Sequence, residues 1–275
     1  RTATISPSPS IIPVPSQSPA LVEIIPSPPK TAATPAINRR QPSIQGIVPK
    51  NEIAVLKDGG TEVRIDKSGM IIGAGALPPD LQRLIKETLL AENIKKPAVL
   101  DEVDSEQGPL RGIESGKSRF RLLSPGRTVI SEQQPTFKWE PLEGVSGYEV
   151  IVGDSFGRMS ANSGHLPADA TQWTSAAPLK RGEVYSWVVE ATINGERIIT
   201  PVPPDREMKF KVLDEKSARR LEALKKNTSS HLALGMFYAR EGMIEEAERE
   251  FQQLLNDNPN SPIAAALLRS VHSWR

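Results

Sequence analysis

The 275-residue chain contains no cysteine. That excludes a disulfide framework, a thiolate nucleophile and cysteine-ligated zinc within it, and leaves the redox compartment undecided. Histidine is scarce as well: His165, His231 and His272 are the only three. They are widely separated and have no partners at ligand spacing, so neither a metal site nor a Ser-His-carboxylate triad is suggested. We expect no metal and no cofactor. The formal net charge is +1, which offers no single-signed field for nucleic acid or an anionic membrane. No apolar run approaches the roughly 18 residues that would mark a bilayer-crossing helix.

Proline, by contrast, is plentiful at one end. Eleven of the 25 prolines fall in residues 1–50, from Pro7 to Pro49, among Ser, Thr, Ala and isolated Ile or Val. Each removes a backbone donor and disfavours helix at the preceding residue. Apolar pairs such as Ile11-Ile12 and Ile24-Ile25 are too sparse to offset roughly 1–2 kcal/mol of ordering entropy per residue. Residues 1–50 therefore read as a disordered Pro/Ser-rich linker, an extended spacer of about 3 Å per residue. A PxxP-type recognition motif around Pro26 to Pro29 is the alternative. The chain starts at Arg1 rather than Met, so we expect a longer protein, with a possible membrane anchor upstream.

From residue 51 the pattern changes. Ile53 and Val55, then Val63 and Ile65, alternate on either side of the turn Asp58-Gly59-Gly60, and Met70-Ile71-Ile72 follows a second turn. Pro78-Pro79-Asp80 opens a helix in which Leu81, Leu84, Ile85 and Leu89 recur at helical spacing. Residues 51–95 are thus a small β-meander plus helix, and 96–118 read as a mostly irregular linker.

Residues 119–212 have the size and turn spacing of an immunoglobulin-like β-sandwich. Expected strands are Phe120–Leu123, Thr136–Trp139, Gly147–Asp154, Gln172–Thr174, Val184–Thr192, Arg197–Thr200 and Met208–Val212. Phe137 and Trp139 share a face, as do Tyr148, Val150 and Val152, and again Tyr185, Trp187, Val189 and Ala191. Trp139 and Trp187 could be read as a sugar-stacking platform, but inward alternation makes them core. The stretch Pro135 to Pro141 with Gly147-Tyr148-Glu149-Val150 resembles strands B and C of fibronectin type III domains. Leu179, Gly182 and the alternating run from Tyr185 to Ala191 resemble that family's strand F, with its tyrosine corner.

The C-terminal part, residues 213–275, resembles a tetratricopeptide repeat with flanking helices. Leu234-Gly235, Tyr238, Gly242, Ala247, Phe251 and Pro259 fall at the signature positions of one 34-residue repeat. His231 stands where that repeat has Trp, and Leu254 where it has Ala. Small Gly235 and Ala247 would let two antiparallel helices approach, with Tyr238 and Phe251 filling the space between them. One repeat cannot bury its own face, so neighbouring elements must cover it.

Several motifs invite chemistry and fail on context. Gly116-Lys117-Ser118 resembles the end of a phosphate-binding loop, but Arg111 stands where the leading glycine belongs, and a strand is expected next instead of a helix. Gly73-Ala74-Gly75 lacks a third glycine and a surrounding βαβ unit. Glu245, Glu246, Glu248 and Glu250 could be read as a cation site, but fit an exposed helix face near a helix N-terminus.

The whole reads as a multidomain α+β chain. The expected function is a non-enzymatic protein–protein interaction or scaffold region with a protein or peptide partner. The combination resembles extracytoplasmic parts of membrane-tethered bacterial proteins, implying a periplasmic or cell-envelope location. The alternatives are a carbohydrate- or polymer-binding accessory region of a secreted enzyme, and a cytosolic scaffold. In tetratricopeptide families the first helix of each repeat lines the binding face. Carried onto this chain, that implies partner contacts at Ser229, Leu232, Met236, Ala239 and Arg240, unless the face packs internally.

Overall fold

A computed structural model describes residues 52–68, 70–105 and 116–275. The proline-rich arm expected for residues 1–50 lies outside the described residues. The fold is mixed α+β, and three sheets and six helices are found among the described residues.

The chain first forms a three-stranded meander: β1 (Glu52–Asp58), β2 (Thr61–Asp66) and β3 (Ile71–Ile72). β2 lies in the middle, antiparallel to both neighbours. Asp58-Gly59-Gly60-Thr61 makes the first turn, with both glycines at positive φ (58° and 81°). Ala54, Leu56, Val63 and Ile65 point inward, as period-two alternation requires. Helix α1 (Pro79–Ala91) begins at a proline that needs no N–H in the first turn. It buries Leu81, Ile85, Thr88 and Leu89 on one face. The expected linker contains a short helix, α2 (Val99–Asp104), whose Leu100 and Val103 are buried.

The sandwich follows. Its larger sheet runs in the order β5 (Thr128–Ile130), β12 (Met208–Val212), β10 (Val184–Ile193), β7 (Gly147–Asp154), β8 (Met159–Asn162), with β11 (Glu196–Thr200) hairpinned onto β10. The smaller sheet is β4 (Leu122–Ser124), β6 (Thr136–Trp139), β9 (Gln172–Thr174). All pairings are antiparallel except β12 with β5. Phe137 packs against Trp187 (ring centroids 5.0 Å apart) and Phe210 (5.8 Å), and Trp139 against Tyr148 (5.6 Å). Trp139 and Trp187 are each 1% exposed, so they are core residues. Burial of an indole stabilises by up to about 5 kcal/mol. The Lys180 amide donates to the Tyr185 hydroxyl at 2.9 Å, closing the corner expected at the start of β10.

Four helices complete the chain: α3 (Glu215–Asn227), α4 (His231–Glu241), α5 (Ile244–Asp257) and α6 (Pro262–His272). Asp214, Ser230 and Ser261 cap α3, α4 and α6 by accepting backbone N–H bonds. α4 and α5 pack closely because Gly235 carries no side chain; a Cβ there would meet the Phe251 ring at 2.6 Å. The helices do not form a core alone. Meander, α1, α2, Val129 of β5 and α3 to α6 share one continuous apolar cluster, and the sandwich interior is a second.

The two cores are joined at β5. The Gly242 carbonyl, in the α4–α5 turn, accepts from the Val129 amide (3.0 Å) and the Thr128 hydroxyl (3.2 Å), and the Ile244 amide donates to Thr128 Oγ1 (3.1 Å). α2 adds ion pairs to the same seam: Arg127 with Asp104 (2.7 Å) and Lys211 with Glu102 (2.7 Å).

Candidate functional site

Helix α4 carries every residue of the expected partner face except Ser229. Seven of its eleven residues are buried, among them Leu232, Met236 and Ala239 at 0% exposure. The expectation that these three meet a partner is therefore corrected. α1 packs on one flank of α4 and α3 on another, with α5 behind, so the chain covers the face with its own elements. The physical reason is in the sequence Leu232 to Ala239, which has no polar side chain until the Tyr238 hydroxyl. A helix apolar all round must be covered all round. Ser229 stays exposed, its hydroxyl donating to the Gly59 carbonyl at 3.2 Å. Arg240 is half-buried at the other end of α4.

The cover is latched at the N-terminus of α4 by Asp58, from the meander turn. Its carboxylate is 1% exposed and accepts from the Ser230 hydroxyl (2.5 Å), the His231 amide (2.5 Å) and the Leu232 amide (3.3 Å). It fills the anion position at a helix N-terminus, where free N–H groups and the macrodipole converge. Burial pushes the Asp58 carboxyl above its ordinary range, while those donors pull the other way. Gly59 allows the approach: a Cβ there would collide with the Ser229 carbonyl. A second latch is Asn258, after α5. Its side-chain amide exchanges two bonds with the Lys57 backbone (2.8 and 2.7 Å), taking the place of a neighbouring strand at the edge of β1.

At the opposite end of α4, a cavity of about 280 Å³ opens between the start of α1, α3 and α4. Leu77, Leu81, Leu224 and Phe237 give it an apolar wall. Arg220 and Arg240 stand at the same site and converge on Asp80, at 3.8 and 2.9 Å. The Arg240 guanidinium also lies over the Phe237 ring, 4.9 Å from its centroid. Asp80 is held below the usual carboxylate range: slight burial works upward, and the pairing with Arg240 and Arg220 outweighs it. A wider groove of about 700 Å³ runs between Ser131-Glu132 and α3, but its charges are mixed and Glu215 already pairs with Arg181 and Arg219.

The other residues singled out by sequence do not converge. His231 Nδ1 lies 2.7 Å from Glu250, His272 Nε2 lies 3.6 Å from Glu248, and the His165 ring occupies the space left by Gly147. The acidic run is engaged piecemeal: Glu246 with Arg249 (3.2 Å), Glu248 with Arg275, Glu250 with His231. Burial first, then the Glu250 and Glu246 charges, pushes the nearby Tyr238 hydroxyl up to about 12. Among the described residues no group of three or more His, Cys, Asp or Glu is placed to hold a metal ion. No helix there is long and apolar enough to cross a membrane. Residues 106–115, with the first part of the phosphate-loop-like stretch, lie outside the described residues. Gly116 donates to the Pro203 carbonyl (2.8 Å) and the Ser118 hydroxyl accepts from Val202 (3.1 Å), with β4 rather than a helix following.

Asp58, Asp80, Arg220 and Phe237 were not among the expected site residues. Asp58 read only as a turn former, and nothing local indicates that its turn meets a helix more than 170 residues later.

No family model and no curated protein matches the chain. A crystal structure of the chicken CNTN1 FN1-FN3 domains is similar over 37% of this chain and 33% of that one, at 14% identity and a TM-score of 0.27. The match thus spans about a third of that structure's length, and at this level it adds nothing to the strand topology given above.

Proposed function

We propose that the chain is a non-enzymatic protein-interaction or scaffold region, the extracytoplasmic part of a membrane-tethered bacterial protein. In this reading a fibronectin-type-III-like sandwich and a tetratricopeptide-like hairpin serve as one rigid support at the end of a proline-rich spacer. The observation that carries it is the seam at β5. Thr128 and Val129 fix the α4–α5 turn onto the sandwich, so a partner meets a single composite surface. The titratable groups support the same reading. Most of the carboxylates and histidines that suggested chemistry bind one another, a helix end or an arginine, rather than facing a shared cleft.

The test is site-specific photo-crosslinking from Ala223, an exposed position on α3, in the organism of origin, with adducts identified by mass spectrometry. A defined protein adduct that recurs from neighbouring positions is the expected result, and its absence at every position on α1, α3 and the sandwich ends counts against the reading. The runner-up, a polymer-binding module, draws on Trp173, which is half-buried on edge strand β9 and stacks on Phe137 at 5.5 Å. Retardation by soluble polysaccharide in affinity electrophoresis, abolished by Trp173→Ala, would favour that alternative.

A further inference from the structure

The tip of the β10–β11 hairpin carries a reactive pair that the interaction reading does not use. β10 ends at Ile193, β11 begins at Glu196, and these two residues face each other across the ladder. Asn194 and Gly195 alone make the loop, with φ of 51° and 84°, the backbone of a two-residue hairpin turn. Both are exposed, and a Cβ at Gly195 would meet nothing within 4 Å. An asparagine side chain can be attacked at its carbonyl carbon by the backbone nitrogen of the next residue. The attack needs that nitrogen free of a hydrogen bond and no bulky side chain beside it.

The other asparagines among the described residues do not meet these conditions. The amide after Asn162 donates to the Val150 carbonyl (3.0 Å), that after Asn227 to Leu224 (3.0 Å), and that after Asn260 to Asn258 (2.9 Å). The amide after Asn93 donates to Ser270 Oγ (3.3 Å), and that after Asn256 lies within α5. Asn258 precedes a proline, which has no N–H. Asn162 is also held at its side chain, by Glu149 (2.7 Å) and by the Gly164 amide (2.5 Å). The Gly195 amide and the Asn194 side chain make no hydrogen bond among the described residues.

We infer that Asn194 is a site of spontaneous deamidation and isomerisation, and that the isomerised product loosens β11. The Gly195 nitrogen bonds to Cγ of Asn194, its proton passes to solvent, and the side-chain nitrogen takes up a proton and leaves as ammonia. Water then opens the cyclic imide at either carbonyl, giving aspartate or isoaspartate, so that one water enters and one ammonia leaves. Isoaspartate adds a main-chain carbon to a two-residue loop, which then no longer holds Ile193 opposite Glu196. β11 pairs with β10 alone, whereas β10 is also held by β7 and β12. β11 therefore loosens while the sandwich core stays closed. This chemistry needs no partner and is independent of the interaction reading above.

The experiment ages the full 275-residue chain in warm, mildly alkaline buffer, both folded and in urea. Peptide mapping reads the amide-to-acid mass gain at each asparagine, and an isoaspartyl methyltransferase with a labelled methyl donor measures the isomer. In the folded chain Asn194 should convert at least about tenfold faster than Asn162, Asn227 or Asn260. Urea should accelerate those three by about tenfold, and Asn194 by less than about threefold. A folded chain in which Asn194 is as slow as the other three overturns the inference, because the turn then protects it. Hydrogen exchange on the aged chain should quicken by about tenfold in β11 and stay unchanged where β10 pairs with β7. Asn194→Asp, freshly purified, supplies the charge without the extra carbon and should keep β11 protected. Equal loss of protection in Asn194→Asp, or an aged chain whose β11 is as protected as before, overturns the loosening by isoaspartate.

Discussion

The sandwich and the helical half are built by opposite strategies from the same stock of residues. The sandwich core draws every buried member from residues 120–212, and β6, β7 and β10 contribute by alternation. The helical core joins residues 54–103, Val129 and residues 213–274, segments separated by the whole sandwich. Its polar ties span the same gap: Asp58 to Ser230, Lys57 to Asn258, Ala74 to Thr228 and Asn93 to Ser270. Large aromatic side chains hold the first, and directed hydrogen bonds between distant segments position the second. The sandwich should therefore respond most to lost volume, and the helical half to lost acceptors and lost clearance.

The largest effect is expected at Trp187. Replacement by Ala removes an indole packed on Phe137 and leaves the Pro125 carbonyl without its 2.7 Å donor. The cost should be about 3–5 kcal/mol, read from urea unfolding followed by tryptophan fluorescence. Because β5 belongs to both halves, loss of the sandwich should also expose the amide of Ile244, which donates to Thr128 Oγ1, to hydrogen exchange. If that amide stays protected, the seam is not the coupling described above and the two halves are separable.

Next comes Asp58. Its replacement by Ala orphans the Ser230 hydroxyl and the His231 and Leu232 amides, all at a buried helix start. We expect a loss of about 2–4 kcal/mol, with Asp58→Asn retaining an acceptor and losing roughly half as much. The unfolding should begin in the meander, so exchange protection in β1 and β2 should fall before that in β10. Uniform loss across both halves would mean that the latch is not specific to the helical half.

The turn beside it separates backbone strain from clearance. Gly60 has a φ of 81° with open space around it, so Gly60→Ala should cost only about 1 kcal/mol. Gly59 also has positive φ, and a Cβ there would strike the Ser229 carbonyl. Gly59→Ala should therefore cost about 2–3 kcal/mol, measured by the same unfolding assay. Equal costs would show that the hairpin can lift from α4 without penalty, and that the two halves differ less than their contacts suggest.

What could be read from sequence follows the same division. Thr136–Trp139, Gly147–Asp154, Gln172–Thr174 and Met208–Val212 appear at the expected bounds, because alternation and hairpin turns are local signals. β5 escaped because all three of its residues are buried and show no alternation. β8 escaped because it is a short edge strand whose Met159 is 68% exposed. Apart from α2, which falls in a stretch read as linker, the helices were legible from their opening residues, apolar spacing and the repeat signature. The latch on the start of α4 was not, since a turn more than 170 residues earlier carries no mark of what it meets. Leu232 to Ala239 did carry a legible clue, an unbroken apolar run that leaves no face for solvent or a partner. The cavity with Asp80, Arg220 and Arg240 draws on three helices, and nothing in any one of them announces the other two.

The smallest effect, at Glu246, tests whether charge matters in the helical half once its latches are intact. Its carboxyl is pushed above the ordinary range, mainly by burial and then by Glu132 and Glu245, against its own backbone N–H and Arg249. A carboxyl raised in the fold binds its proton more tightly there than in the unfolded chain. Stability from this group is therefore greatest below its unfolded value and falls as pH rises through its folded one. The lowered carboxyls, such as Asp80, Asp104 and Asp214, act in the opposite sense and lose stability as pH falls. Glu246→Gln isolates one term from that sum. The pair with Arg249 that it also removes involves a guanidinium that is 73% exposed, worth only a few tenths of a kcal/mol. The expected outcome is a shallower decline in melting temperature between about pH 4.5 and neutrality, with a net gain of about 0.5 kcal/mol at neutral pH. A variant that parallels the parent chain across that window would mean that Glu246 is fully solvated, and that the acidic face of α5 contributes nothing to the helical core.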